Sequence, residues 1–369
     1  MYRIILTGGG TAGHVTPNLA LVDALREAGF EISYIGSKEG MEKELVQAAG
    51  LPYYGISTGK LRRYFDLKNF TDPFRTIKGF GEASSLIKKL RPHVIFSKGG
   101  YVTVPVVHAA AARHVPIVCH ESDMSPGLAN RISLPFATRV CCNFEETKDM
   151  IKKGRAIVTG LPIRRELFEG DRNKALEFTG FSGDRPVLLV TGGSLGSANI
   201  NEAVRRILTT LTATFDVVHL CGRGKLDPTL HSTGGYVQYE YVGPQMKELF
   251  ALADIVVSRA GANAVCELLA LRKPSLLIPL GSNASRGDQI QNAASFEKRG
   301  YSMVLREEDM NDDTLTGSIM ELFEKRSSYI AAMESSPHKD AVSTIVKIIT
   351  SCVNFDIYRR TKKHEHGLH

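Results

Sequence analysis

Ile4-Ile5-Leu6-Thr7-Gly8-Gly9-Gly10-Thr11-Ala12-Gly13-His14 opens the chain, and the same design returns as Val187-Leu188-Leu189-Val190-Thr191-Gly192-Gly193-Ser194-Leu195-Gly196-Ser197. In each copy an apolar run too short for a helix meets a glycine-rich turn and then a segment of helical character. After the first turn Leu19, Leu21, Val22 and Leu25 supply one helical face. Strand, loop and helix in that order make a βα unit, and such units build parallel sheets covered on both faces. Further strands are predicted at residues 32–35, 94–97, 117–120, 140–143 and 156–159. After the second copy they are predicted at 217–220, 238–242, 255–258, 275–278 and 302–305. The predicted class is α/β with two Rossmann-like domains, an N-terminal one over 1–162 and a C-terminal one over 163–342. A helix near 343–358 is expected to pack back on the first, and the polar stretch Arg359 to His369 to fray.

The chain has 369 residues, 43% of them hydrophobic and 23% charged, which excludes disordered, collagenous and coiled-coil classes. Lys and Arg exceed Asp and Glu by 46 to 39, a net charge of +7 that favours anionic partners. The six cysteines, at 119, 141, 142, 221, 266 and 352, show no CxxC pair. They read as reduced core thiols of a cytoplasmic protein rather than a zinc site, so no metal is expected. Residues 4–22 carry no formal charge, but Gly8, Gly9, Gly10, Gly13, His14, Pro17 and Asn18 rule them out as a span. Membrane association is therefore expected to be peripheral. Nucleic acid is not an expected partner, since no recognition helix, zinc finger or stacking module is present.

Several residues carry candidate chemistry. Glycines let backbone N–H groups approach an anion, and a helix start adds favourable dipoles, so the first loop (Thr11, Ala12, Gly13) and the second (Ser194) are predicted anion turns facing each other across one cleft. His14 at the presumed helix start is a candidate general base, or simply a hydrogen-bond donor. Arg164, at the domain junction, suits a diphosphate. Glu267 stands one helical turn beyond Asn263 in Ala262-Asn263-Ala264-Val265-Cys266-Glu267 and can accept two sugar hydroxyls, or only neutralise its helix. Residues 286–292, with Gln289, offer sugar-compatible amides. Glu121, Asp123 and Asn199 are cleft candidates. From Arg62, Arg63 and Phe65 through Phe74, Arg75 and Lys78, cations interleave with aromatics, as an interfacial surface does.

Taken together, Gly8 to His14, Phe96-Ser97-Lys98-Gly99-Gly100-Tyr101, His120-Glu121-Ser122-Asp123, Gly192 to Ser197 and Ser258-Arg259-Ala260-Gly261 resemble the MurG family. These are the N-acetylglucosaminyltransferases that convert lipid I to lipid II in peptidoglycan synthesis. The motifs keep the family order from residue 4 to about residue 295, with Ala12, Asp123 and Leu161 as departures. The resemblance implies a glycosyltransferase B (GT-B) architecture and inverting transfer from UDP-N-acetylglucosamine (UDP-GlcNAc) to the C4 hydroxyl of MurNAc. It implies donor contacts at Thr11, Ala12, Gly13, Arg164, Ser194, Val242, the Ala262 to Glu267 turn and Gln289, with Glu267 at the ribose and Gln289 at the sugar hydroxyls. It also implies no required cofactor, lipid I as acceptor, the cytoplasmic face of the bacterial membrane as location, and other cell-wall synthesis proteins as partners. The alternatives are a related transferase with another UDP-sugar or lipid acceptor, and a non-catalytic sugar-nucleotide sensor.

Overall fold

Ile4 and Leu6 belong to one apolar cluster and Ile5 to another, because successive side chains of a strand leave opposite faces of the sheet. Both faces are covered, which is why these strands are continuous apolar runs rather than alternating ones. The structure, a computed structural model, describes residues 1–59, 68–151, 154–193, 195–281, 287–336 and 340–366, with the backbone alone at 68–73 and 357–366.

The chain divides into two compact units, Met1–Arg164 with Asp340–His369, and Arg165–Lys339. The first is built on strands β1 (Tyr2–Thr7), β2 (Phe30–Ser37), β3 (Tyr53–Ile56), β4 (Val94–Ser97), β5 (Ile117–Glu121), β6 (Arg139–Cys142) and β7 (Ala156–Val158). They form a parallel seven-stranded sheet in the order β3-β2-β1-β4-β5-β6-β7. The second unit holds β8 (Val187–Thr191), β9 (Asp216–Leu220), β10 (Tyr236–Tyr239), β11 (Ile255–Ser258), β12 (Ser275–Leu277) and β13 (Met303–Val304). These form a parallel six-stranded sheet in the order β10-β9-β8-β11-β12-β13. Two doubly wound α/β units are what the apolar runs predict.

Three local features differ from the sequence reading. Strand β3 was not expected, because Tyr53-Tyr54-Gly55-Ile56 is short, half-buried and interrupted by glycine; it forms at the sheet edge by pairing with β2. Strand β10 ends at Tyr239, earlier than the predicted 238–242, and leaves Tyr241 exposed. The C-terminal helix runs over Ala341–His366, so most of the stretch expected to fray is helical. Lys and Arg, of which the stretch carries several, have good helical propensity.

That helix completes the core of the first unit. Ile345, Ile349, Cys352 and Val353 recur at helical spacing and pack with Ile4, Leu6, Leu21 and Leu25. None of the six cysteines forms a disulfide, and all are buried. Replacing the fully buried Ile349 with Ala is expected to cost the first unit about 2–5 kcal/mol, read by denaturant unfolding; a loss below about 0.5 kcal/mol would show that the helix is not part of this core.

Candidate functional site

Each sheet reverses its strand order once, between β1 and β4 in the first unit and between β8 and β11 in the second. The connections leaving the two strands at such a point go to opposite faces, so a crevice opens outside their carboxyl ends. Thr7 pairs with Ser97 at the end of β1 and β4, and Thr191 with Ser258 at the end of β8 and β11. The glycine-rich loops that follow these four residues therefore arrive at the two crevices in pairs.

In the first unit the two loops interlock. Gly100 has φ +88°, and a Cβ there would run into the Gly9 carbonyl and lie 3.2 Å from His14 Cδ2, so only glycine lets the loop after β4 pack against the histidine. The Tyr34 hydroxyl donates to the Gly8 carbonyl (2.9 Å), and Asn18 Nδ2 donates to the Thr7 carbonyl (3.2 Å). Lys98 is buried with its ammonium on the Ser122 hydroxyl. Burial, and then the Lys98 charge, hold the fully buried His120 imidazole well below its ordinary pKa. In that neutral form Nε2–H donates to the Gly160 carbonyl (3.0 Å).

Two expectations need correction here. His14 does not start a long helix: Ala12–His14 is a single 3-10 turn, Thr16–Leu19 one further turn and Val22–Glu27 a separate helix. Pro17 lacks the N–H that would continue a helix from the loop, so few aligned peptides follow His14. Nor do all the loop amides face outward, because Gly10 N–H donates to the Glu42 carboxylate (3.3 Å).

Glu121 is buried rather than presented. Its carboxylate accepts from Asn130 Nδ2 (2.7 Å), Asp123 N–H (3.0 Å) and Gly127 N–H (3.3 Å), so it shapes the loop after β5. Burial pushes its pKa up. Asp123 is half-buried on the same loop, and Arg164 is exposed at the end of the first unit. The helix Lys68–Leu90 exposes Phe74 (74%), Ile77 (69%) and Phe80 (38%), which share about 120° of its circumference, beside exposed Arg75 and Lys78. Arg62, Arg63, Phe65 and Ser194 lie outside the described residues.

In the second unit Lys225 Nζ donates to the carbonyls of Leu195 (2.9 Å) and Gly196 (3.2 Å). The trans peptide then turns the Ser197 N–H the opposite way. Gly196 has φ +67°, and a Cβ there would collide with the Cys221 carbonyl. Ser197 caps the helix Ala198–Arg206 and also accepts from Arg259 Nη2 (2.6 Å). Arg259, nearly fully buried, donates as well to the Ile278 carbonyl (3.1 Å) and pairs with Glu307 at 2.5 Å. One guanidinium thus ties the loops after β8, β11 and β12. Asn199 donates to the same Glu307 (2.9 Å), which explains its position without a ligand.

The helix Ala262–Ala270 starts at Gly261 with no side-chain cap, and Ala262 and Cys266 are buried while Asn263, Ala264 and Glu267 are half-buried. Val265 is fully buried and Val242 nearly so. Gln289 Oε1 accepts from Leu280 N–H (3.0 Å), which fixes the orientation of the amide. Tyr34, Glu42, Lys225 and Glu307 were not among the residues singled out from the sequence, and Asn18 and Lys98 were named there without a role in the site. The available signal was a polar residue on a core-facing stripe, as where Glu42 shares a helix face with buried Val46. Among the described residues no group of three or more His, Cys, Asp or Glu is placed to hold a metal, and no helix is long and apolar enough to cross a membrane.

Burial raises the Glu307 carboxyl, but hydrogen bonds from Arg259 and Asn199 and the guanidinium charge outweigh it and hold the group below its ordinary 4.5. A depressed carboxylate stabilises the fold above its unfolded pKa and loses that contribution as pH falls through the folded one. Parent and Glu307→Gln are therefore expected to differ by about 1–3 kcal/mol near neutral pH and to converge in acid. Urea unfolding across pH 3 to 7 checks this, and a gap that persists unchanged into acid would remove the charged pair as its source.

Residues 4–142 match the model of the glycosyltransferase family 28 N-terminal domain, and residues 187–347 that of its C-terminal domain. The chain is 58% identical, over 95% of its length and 98% of the relative's, to the UDP-N-acetylglucosamine--N-acetylmuramyl-(pentapeptide) pyrophosphoryl-undecaprenol N-acetylglucosamine transferase of Lachnoclostridium phytofermentans. It is 54% identical to the enzyme of the same name from Clostridium perfringens, over 94% of the chain and 98% of the relative. The crystal structure of Acinetobacter baumannii MurG shares the fold at TM-score 0.74 and 22% identity, covering 95% of this chain and 100% of that one. Two parallel α/β units with paired glycine loops at their reversal points, and identity above one half along nearly the whole chain, place this protein in glycosyltransferase family 28, among the MurG-type N-acetylglucosaminyltransferases.

Proposed function

We propose that the protein transfers N-acetylglucosamine from UDP-GlcNAc to the C4 hydroxyl of MurNAc in undecaprenyl-pyrophosphoryl-MurNAc-pentapeptide (lipid I), giving lipid II and UDP. The near-full-length likeness to the Lachnoclostridium enzyme carries this reading. The acceptor O4 attacks the anomeric carbon, the bond from that carbon to the β-phosphate oxygen breaks, and configuration inverts. UDP leaves with its charge stabilised by backbone N–H groups at the starts of the Ala198–Arg206 and Ala262–Ala270 helices and by Arg164. This scheme requires no divalent cation. We assign the donor to the second unit, with Glu267 on the ribose and Gln289 on the sugar hydroxyls, and the acceptor to the first.

The proton of the C4 hydroxyl goes to His14, whose ring packs against the loop after β4. Purified protein incubated with labelled UDP-GlcNAc and lipid I, followed by product mass analysis, tests donor, acceptor and linkage together. UDP-GlcNAc binding without turnover would instead favour a sensor, and turnover only with other donors or lipids a related transferase. His14→Ala is expected to lower kcat about 100-fold or more while UDP affinity changes less than about threefold; equal losses in both would count against the base.

Lipid I lies in a membrane, so the enzyme has to work at one. The exposed Phe74, Ile77 and Phe80 with Arg75 and Lys78 suit shallow insertion beside anionic headgroups, on the cytoplasmic face, where the UDP-sugar is supplied. Replacing Phe74, Ile77 and Phe80 together with Ser is expected to weaken sedimentation with anionic vesicles about tenfold. Unchanged binding would move the membrane contact elsewhere.

A further inference from the structure

Glu42 opens the short helix Glu42–Ala48, where an acidic residue ordinarily faces solvent and complements the helix dipole. Here it is completely buried, while Glu44 in the same turn is exposed. Oε1 accepts from Ser37 N–H (2.9 Å) and Ser37 Oγ–H (2.5 Å), and Oε2 accepts from Gly10 N–H (3.3 Å). Among the described residues no cation pairs with it. A buried carboxylate without a cation is costly unless its oxygens are well supplied with donors, so the three donors explain how it is tolerated.

The three donors connect the end of β2 to the loop after β1. Two glycines make room for the carboxylate: a Cβ at Gly9 would lie 2.6 Å from Oε1, and one at Gly40 would overlap Oε2. On its other side the Gly9 carbonyl packs against Gly100, which in turn packs on the His14 ring. Glu42 therefore reaches His14 through one peptide and one glycine contact.

We propose that Glu42 is a positioning residue for transfer: by holding the Gly9–Gly10 peptide it sets where His14 stands relative to the acceptor hydroxyl. This rests on the function proposed above. Gln in its place keeps the shape but has one accepting oxygen for two backbone N–H groups, so an amide NH2 must confront one of them. A misplaced reacting group costs turnover, whereas the affinity for UDP, whose contacts are assigned mainly to the second unit, is expected to change little.

The test uses the full chain and four proteins: parent, Glu42→Gln, Gly40→Ala and Glu44→Gln. Gly40 lies outside the glycine loop and its added methyl reaches that loop through the Glu42 carboxylate, so it carries the test if Glu42→Gln does not fold. Both Glu42→Gln and Gly40→Ala are expected to lose kcat with lipid I about 30- to 100-fold, with the Kd for UDP within about twofold. Glu44→Gln should behave as the parent. Hydrogen exchange of the Gly8 to His14 segment, measured without substrates, should accelerate in Glu42→Gln and Gly40→Ala.

Turnover within about threefold of the parent in either folded variant overturns the proposal, as does the same loss in Glu44→Gln. An inactive parent overturns the transferase reading instead. Exchange then still decides whether Glu42 holds the loop, and unchanged rates at Gly8 to His14 would end that claim.

Discussion

A parallel strand delivers its last residue, and the loop that follows, to one edge of the sheet, and at the point where strand order reverses two such loops diverge around a crevice. Everything chemical in this protein depends on that constraint being met twice. Thr7 beside Ser97 and Thr191 beside Ser258 mark the two places, and the glycine-rich motifs are what follow those four residues. Backbone amides can serve a ligand there because the strands have no further use for them.

The two crevices are stiffened by opposite charges. In the first unit a buried carboxylate, Glu42, gathers backbone N–H groups beneath the loop. In the second a buried guanidinium, Arg259, gathers a hydroxyl, a carbonyl and the Glu307 carboxylate, while Lys225 takes two loop carbonyls from another side. Cations under the second loop raise the potential where a nucleotide diphosphate is proposed to bind. A carboxylate under the first loop withdraws one amide from anion binding.

Stability and function meet in the same elements. The C-terminal helix returns from the second unit to fill the core against β1 and the helix after it, so the strand that positions the first loop is backed by residues more than 300 positions away in sequence. The loop after β5 is fastened by neutral His120 to Gly160 and by Glu121 to its own backbone. His120 through Nε2 and Glu121 through both oxygens are held by specific partners, which makes the loop geometry specific rather than adjustable.

The sequence by itself determined the α/β class, the two-unit division and the family, because strand runs, glycine turns and their order are local signals that need no partner to be recognised. It did not determine strand β3, whose pairing with β2 overrides a weak local preference, or the broken helix after His14. Nor could it place two cleft candidates: in space Glu121 is fastened to the loop that follows it, and Asn199 to Glu307, more than 100 residues further on. Glu42 drew no attention as a single letter and Lys98 only as part of a motif, since a charged residue acquires meaning when burial removes water and obliges it to find donors or acceptors. Burial comes from contacts between segments distant along the chain, and only the tertiary structure supplies them.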